Sequence, residues 1–489
     1  MRLFLSALLL ASTAMAQMRL VTLPGKSPLV TFRIVFTAGS AVDPPDKPGA
    51  AYLTAMLLAR GGTREMTYRQ VLDAMFPMAA SVNAQVDKEM VTFSGATHVD
   101  NVEPYYQLLR AMLLDPGWRE DDFQRVKDDA INFLRVNLRG NNDEELAKEA
   151  LDQYIFRGTP YEHYSVGTVS SLEKMTLADV RRFYRMQYSQ SHLILGIAGG
   201  YTPAFLERMK RDFRGLPEGA GFRPREAAPP LIQHSRALIV DKDTRSVAFS
   251  IGYPTLVTRA NPDFAALLLV SSYLGQHRSS NGLLYDRMRE KRGLNYGDYA
   301  YIEYFPRGMF QSEPSPNLAR HFQTLQLWIR PVEPPTAKFA LRLALYELDK
   351  LCRDGISQEG FERTRDFLSK YVNVLTRTKS AELGYAIDSV YYGIPKYNEY
   401  LKMHLAKLTR DDVNRAIHRY LRAERLVVVA VTKDGEAFKN EITGDEASPM
   451  TYNAPKSAEI TEEDKSVEKF PLHLRPEDVT VIPVGQVFE

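Results

Sequence analysis

The chain has 489 residues, 44% hydrophobic and 25% charged, an ordinary globular composition that predicts about two to four domains. With 62 Lys and Arg against 60 Asp and Glu, the net charge of +2 leaves no electrostatic footprint for nucleic acid. A single cysteine, Cys352, excludes an internal disulfide framework and any cysteine-based zinc cluster, and reads as a stray buried thiol.

Taken along the chain, residues 1–16 read as a secretory signal. Arg2 supplies a positive charge, residues 3–11 are apolar, and Ala14-Met15-Ala16 is a small-x-small cleavage site before Gln17. The apolar stretch is too short to span a bilayer, and no later run approaches about 18 apolar residues. The expected product is secreted across the inner membrane, periplasmic or extracellular, with no membrane span.

Residues 17–214 read as a first α+β half. Val30-Thr31-Phe32 opens a β-rich run, and apolar spacing predicts helices over 68–74, 102–114 and 122–138. Residues 81–94 alternate as two strands that turn at Asp87-Lys88-Glu89. Glu144, Glu145 and Glu149 form an acidic helix face, expected to be solvated. Four prolines and three glycines within 215–230 make a linker that neither continues a helix nor pairs centrally in a sheet.

Residues 231–440 repeat the first half. Leu172 to Val180 (L-E-K-M-T-L-A-D-V) matches Leu405 to Val413 (L-A-K-L-T-R-D-D-V) at an offset of 233. Thr176 and Thr409 each stand three residues before an Asp, a capping-box pattern that opens a helix. At the same offset the strand at 193–198 meets that at 426–431. Val30-Thr31-Phe32 corresponds to Val247-Ala248-Phe249, and the helix at 122–138 to one at 359–375. The prediction is an α+β fold made twice, two homologous halves that are each a sheet covered by helices. Residues 441–489 follow, with 11 acidic against four basic residues and one convincing strand at 479–482. They predict an acidic, extended tail strapped across the basic body or a partner, with a disordered acidic tail the alternative that composition equally allows.

In the first half, Ala38-Gly39-Ser40-Ala41-Val42-Asp43-Pro44-Pro45-Asp46-Lys47-Pro48-Gly49, then a helix and Arg60-Gly61-Gly62-Thr63, resembles the pitrilysin/insulinase family. These are the inverzincin zinc peptidases, with H-x-x-E-H on that helix. Ser81-Val82-Asn83-Ala84, Thr159-Pro160-Tyr161, Val166-Gly167-Thr168 and Phe183-Tyr184 extend the likeness, which implies two halves closing as a clamshell. The family's chemistry takes two His one helical turn apart as zinc ligands, a Glu beside the second as base, and a distant Glu to complete the shell. Here Tyr52 and Met56 stand at the His positions, Ala55 at the base and Asn132 at the distant Glu. The nine histidines lie at 98, 163, 192, 234, 277, 321, 404, 418 and 473, so no local pair replaces the lost one. No catalytic residue is intact, and no metal or cofactor is expected on this chain. Tyr52 and Met56 are expected to fill the vacated pocket by packing, since Met adapts to irregular gaps.

In the second half, R-E-K-R-G-L-N-Y at 289–296 looks like the segment that gives the family its Arg/Tyr pair. Arg289 and Tyr296 are the matching positions, and the resemblance implies that they hold a peptide carbonyl or steady an oxyanion. Val82-Asn83-Ala84-Gln85 resembles the edge strand on which active members lay their peptide. The family includes heterodimers resembling mitochondrial processing peptidase, in which a degenerate subunit complements a zinc-bearing one. The resemblance therefore implies a pseudo-peptidase subunit that is no enzyme on its own. Its partners would be a zinc-bearing homologous peptidase subunit and peptide substrates, with the zinc on that partner. The rivals are a purely structural or peptide-binding protein of the same fold and a self-sufficient zinc metallopeptidase.

Overall fold

A computed structural model describes residues 18–219, 228–229 and 231–489. The signal segment 1–16 and part of the linker, 220–227 and 230, lie outside the described residues. The first half starts with β1 (Arg19–Pro24) and β2 (Leu29–Phe36), then α1 (Ala50–Arg60), α2 (Tyr68–Met75) and the hairpin β3 (Asn83–Val86) and β4 (Val91–His98). Helices α3 (Val102–Leu114), α4 (Glu120–Asn132), α5 (Asp143–Ile155), α6 (Val169–Lys174) and α7 (Leu177–Gln187) precede β5 (Leu193–Gly199) and α8 (Pro203–Phe213). The helix predicted over 122–138 is α4 continued by wider π-helical turns at Phe133–Gly140.

The second half opens with β6 (Arg236–Asp241), β7 (Val247–Thr255), α9 (Phe264–Gly275), β8 (Asp298–Tyr301) and β9 (Gln323–Val332). Helices α10 (Ala337–Asp354), α11 (Gln358–Leu375), α12 (Lys379–Tyr392), α13 (Tyr397–Lys407) and α14 (Arg410–Tyr420) lead to β10 (Val427–Thr432) and α15 (Gly435–Thr443). Last come α16 (Ala458–Val467) and β11 (Val479–Pro483).

The strands form two mixed sheets, β1-β5-β2-β4-β3 and β11-β6-β10-β7-β9-β8. The internal repeat is explicit in their register: Phe32 faces Ile197 as Phe249 faces Ala430. Thr176 and Thr409 both complete capping boxes with Asp179 and Asp412, so α7 and α14 start at the same point of each half.

β5 and β10 are nearly unbroken apolar runs because both faces of each are covered. On β10, Val427, Val429 and Val431 face the first half's core, while Val428 and Ala430 face the second half's own helices. The cover on the first side is α5, a helix of the other half. The exchange is reciprocal. Leu383 and Ile387 of α12 pack on Val35, Ile194 and Ala198 of the first sheet. Contact there is close enough that a Cβ on Gly196 would stand 2.7 Å from Ile387 Cδ1.

A polar joint fixes this exchange. The offset between the halves is 217 at Val30 and Val247 but 233 at Leu172 and Leu405, and the 16 extra residues fall in the β8–β9 connection, 302–322. That connection reaches the first half. Arg320, only 1% exposed, donates to both Asp87 oxygens (2.5 and 2.7 Å) and to Asp152 (3.1 Å), and its guanidinium lies 3.7 Å from the Tyr304 ring centroid. His321 meets Glu89 at 2.6 Å, and Arg33 donates to the Asn317 side chain at 2.8 Å. Glu144, Glu145 and Glu149, expected to be solvated, are all buried here, because α5 packs against β7, β10 and β9 of the second sheet. Glu144 pairs with Arg330 (3.1 Å), and Glu145 accepts the Arg307 amide (2.5 Å).

The acidic tail is not extended throughout. It holds α16, whose Glu463 and Asp464 each lie 2.8 Å from Arg292. β11 then adds to the outer edge of β6, in parallel. The last residues cross to the first half, where Phe488 is 2% exposed and its ring centroid lies 5.2 Å from that of Tyr164. Arg139 donates to the Val487 carbonyl (2.5 Å) and pairs with Glu489 (2.8 Å). Truncating a ring so enclosed costs about 3–5 kcal/mol in other cores. Phe488→Ala should therefore lower stability in urea by an amount of that order and speed proteolysis of residues 484–489. An unchanged midpoint would show that the tail fastens nothing.

Candidate functional site

The site to examine is the face of α1 that would carry the metal ligands. Asp43 sets the helix start by accepting the amides of Gly49 and Ala51, each at 2.7 Å, and His163 holds its carboxylate at 2.9 Å. Four residues apart, Tyr52 and Met56 share one helix face and are half-buried, whereas Ala55 is wholly buried against the core. Tyr52 and Met56 do not fill the space beside them. They line a cavity of about 370 Å³.

The opposite walls come from both halves. β3 contributes Asn83 to Val86, and the β8–β9 connection contributes Tyr304, Arg307, Gln311 and Ser315. β3 is an edge strand, as expected of the Val82-Asn83-Ala84-Gln85 segment, and the Gln85 side chain donates to the carbonyls of Pro316 and Asn317 (both 3.1 Å). Asn132 is exposed on α4 and does not line the cavity. The α4 carboxylate whose field reaches Tyr52 is Asp129, one turn earlier, which pairs with Arg60 at 3.4 Å. Burial raises the Tyr52 phenol, against the fields of Arg307 and Arg60, and therefore keeps it neutral.

This donor set does not fit zinc. A phenol held neutral, a thioether and an alanine replace imidazole, imidazole and carboxylate, and a catalytic zinc needs about three protein ligands. The nearby acids are committed elsewhere: Glu144 to Arg330, Glu145 to the Arg307 amide, Glu149 to the Tyr304 hydroxyl. Among the described residues no cluster of three His, Cys, Asp or Glu is placed to hold a metal ion.

Arg289 and Tyr296 come together elsewhere. The segment runs from π-helical turns at Tyr285–Glu290, through Gly293 in the left-handed region (φ 71°), to β8. The Arg289 guanidinium lies 6.0 Å from the Tyr296 ring and 5.2 Å from that of Tyr285. Tyr296 is 77% exposed, and neither residue lines the cavity beside α1. The neighbouring Arg287 and Arg292 serve a different purpose, anchoring the tail through Glu463. Cys352 is half-buried, and burial pushes its thiol up to about 12, which keeps it unreactive.

The sequence reading missed Tyr304, Arg307 and Arg320. The 16-residue jump in repeat offset marks where they lie, but nothing local to them indicates that they cross between halves.

Two family models match the chain. One described as "Insulinase (Peptidase family M16)" covers residues 21–168, and one described as "Peptidase M16 inactive domain" covers residues 174–368. The chain belongs to the insulinase family, peptidase family M16. Within it, this chain lacks the H-x-x-E-H motif. A Helicobacter pylori protein named "Non-peptidase homolog YmxG" is 20% identical over 413 residues, covering 83% of this chain and 89% of its own. An uncharacterized zinc protease of Streptomyces coelicolor is 25% identical over 306 residues, 59% of this chain and 65% of its own. Among solved structures, a peptidase M16 inactive domain from Pseudomonas fluorescens superposes with a TM-score of 0.75 at 19% identity, covering 90% of this chain and 98% of that one. The periplasmic protease PqqL of Escherichia coli gives 0.66 at 13% identity, over 93% of this chain and 49% of that one. At these identities the structural likeness establishes the fold.

Two outcomes follow. Purified protein equilibrated with zinc and desalted should retain far less than one zinc per chain by elemental analysis. Tyr52→His with Met56→His should still cleave no peptide, because the base and third ligand remain absent. Stoichiometric zinc with chelator-sensitive cleavage by the unaltered chain would contradict this.

The second outcome concerns Glu149, which burial and the neighbouring Glu145 and Asp152 push well above its ordinary 4.5, toward the neutral acid. Its contribution to stability is then complete below about pH 4.5 and is lost as pH rises through the raised value. Buried Asp298, pushed up to about 8, adds a slope of the same sign. Glu149→Gln should flatten the fall in stability between about pH 5 and 8, measured by urea unfolding at each pH, leaving the Asp298 part. An unaltered slope would mean that Glu149 is ionised in the fold.

Proposed function

We propose that this chain is the zinc-free subunit of an exported two-chain peptidase, pairing with a zinc-bearing homologue and presenting Arg289 and Tyr296 to the peptide bound there. One observation carries the reading. The α1 face carries none of the family's metal ligands, while the Arg/Tyr pair is present, with Tyr296 exposed and Arg289 half-exposed beside Glu290, and lies away from this chain's own cavity. Such placement suits action on a second chain.

The two side chains are donors of different kinds. The Arg289 guanidinium offers a planar fork to a peptide carbonyl, and the Tyr296 hydroxyl offers one hydrogen bond where negative charge develops. Zinc on the partner would supply the polarised water. Export rests on the signal-like residues 1–16. Among the described residues no helix is long and apolar enough to cross a membrane.

A second reading, peptide capture without cleavage, draws on the β3 edge facing the 370 Å³ cavity. It predicts peptide binding by the isolated chain, and the first reading does not require that.

Co-expression with a zinc-bearing homologue encoded nearby should give a stable complex that cleaves peptides. Tyr296→Phe should then lower kcat by about ten- to a hundredfold, below the 10²–10³ seen for oxyanion-hole donors in enclosed sites. Arg289→Ala should mainly raise KM, as expected for a contact made equally in ground and transition states. Neither variant should change assembly or zinc content. Unchanged kinetics in both would leave a scaffold role.

A further inference from the structure

A second cavity, of about 100 Å³, lies inside the second half among α9, α11, α12, α13 and the start of the β8–β9 connection. It is separate from the α1 face and from Arg289 and Tyr296. Leu268, Ile302, Val372 and Leu401 give it apolar walls. At one end Tyr385 and Tyr397 stack with centroids 5.0 Å apart, and the Arg259 guanidinium lies 5.0 and 4.7 Å from their rings.

The cavity carries no uncompensated charge. Arg259 is paired with Glu303 at 2.9 Å and Asp388 at 3.1 Å. His277 donates from Nε2 to the Gln311 carbonyl (2.8 Å), so its Nδ1 accepts from the Tyr301 hydroxyl (2.7 Å). Burial lowers this imidazole to about 4 and leaves it neutral near pH 7.

Its polar groups are underused. Tyr385, Tyr397 and Ser272 are 2%, 3% and 7% exposed and all line the cavity. Among the described residues none of their hydroxyls has a hydrogen-bond partner. Buried hydroxyls in native folds are satisfied by protein, water or ligand, and leaving one unmet is unfavourable. Three hydroxyls without a protein partner on one apolar cavity suit an occupant with both characters.

We infer that this cavity binds a small uncharged molecule, with an apolar body about the size of one aromatic ring and a single hydroxyl or carbonyl oxygen. Volume bounds the size: a dry, closed apolar cavity of about 150 Å³ accepts benzene, and this one, at about 100 Å³, has room for a ring because it opens to solvent on one side. Tyr304 borders both this cavity and the one beside α1, so an occupant would also bear on the connection that closes the halves.

Phenol is the probe and benzene the control that lacks the oxygen. Titrated into the full chain and followed by NMR line shifts and thermal unfolding, phenol should bind saturably at one site. It should slow hydrogen exchange in α9 and residues 300–305. Benzene should bind about tenfold more weakly, the usual worth of one hydrogen bond. Tyr385→Phe with Tyr397→Phe and Ser272→Ala keeps the apolar volume and should reduce phenol to the affinity of benzene. Leu268→Trp should fill the space and abolish both. Non-saturating phenol shifts, or equal phenol binding by the triple variant, would overturn the inference and leave a cavity that holds only water. If Leu268→Trp does not fold, the triple variant decides.

Discussion

Arg320 is the fixed point of this molecule. Placing a guanidinium in the interior costs several kcal/mol in lost hydration, and it is tolerated only with close, well-oriented countercharges. Asp87 and Asp152 supply them, one from the β3–β4 turn and one from α5, and the Tyr304 ring covers the remaining face. Neither carboxylate lies in the same half as the arginine. The halves cannot separate without exposing or stranding three charges, and so the ion triad specifies the closed arrangement more than it adds to stability.

The exchanged helices follow from that constraint. With the β8–β9 connection pinned to Asp87, α5 lies on the second sheet and α12 on the first, and each sheet is buried on both faces. Glu144, Glu145 and Glu149 of α5, enclosed by this packing, are each held, by Arg330, the Arg307 amide and Tyr304, and among the described residues no three such groups converge for a metal. The misfit to zinc therefore has two sources, the side chains of α1 and the commitments of α5. Arg289 and Tyr296 lie outside this locked region, which is why a role on a second chain is consistent with a closed single chain.

Sequence reading succeeded where the cause is local. Thr176 and Thr409 cap their helices with the Asp three residues on, and Asp87-Lys88-Glu89 turns a hairpin, because these outcomes depend on adjacent residues. That Tyr52 and Met56 share a face was legible because a helix spacing of four fixes it. Glu144, Glu145 and Glu149 were misjudged because their burial comes from strands β7, β9 and β10, far away in sequence, which no helical periodicity encodes. Among the tail's acids, Glu463 pairs with Arg292 of the body. The tail's final anchor, Phe488 in the first half's core, left no mark in the charge pattern.

The chain carries its own reporters of the interlock. Its two tryptophans fall one to each half, Trp118 before α4 and Trp328 on β9. Urea unfolding followed by fluorescence in Trp118→Phe and in Trp328→Phe reads each half separately. Halves joined by the Arg320 triad and the exchanged helices should unfold together, with coincident midpoints and slopes once each variant's own stability is normalised by circular dichroism. Two resolved transitions, one half melting while the other stays folded, would contradict the account.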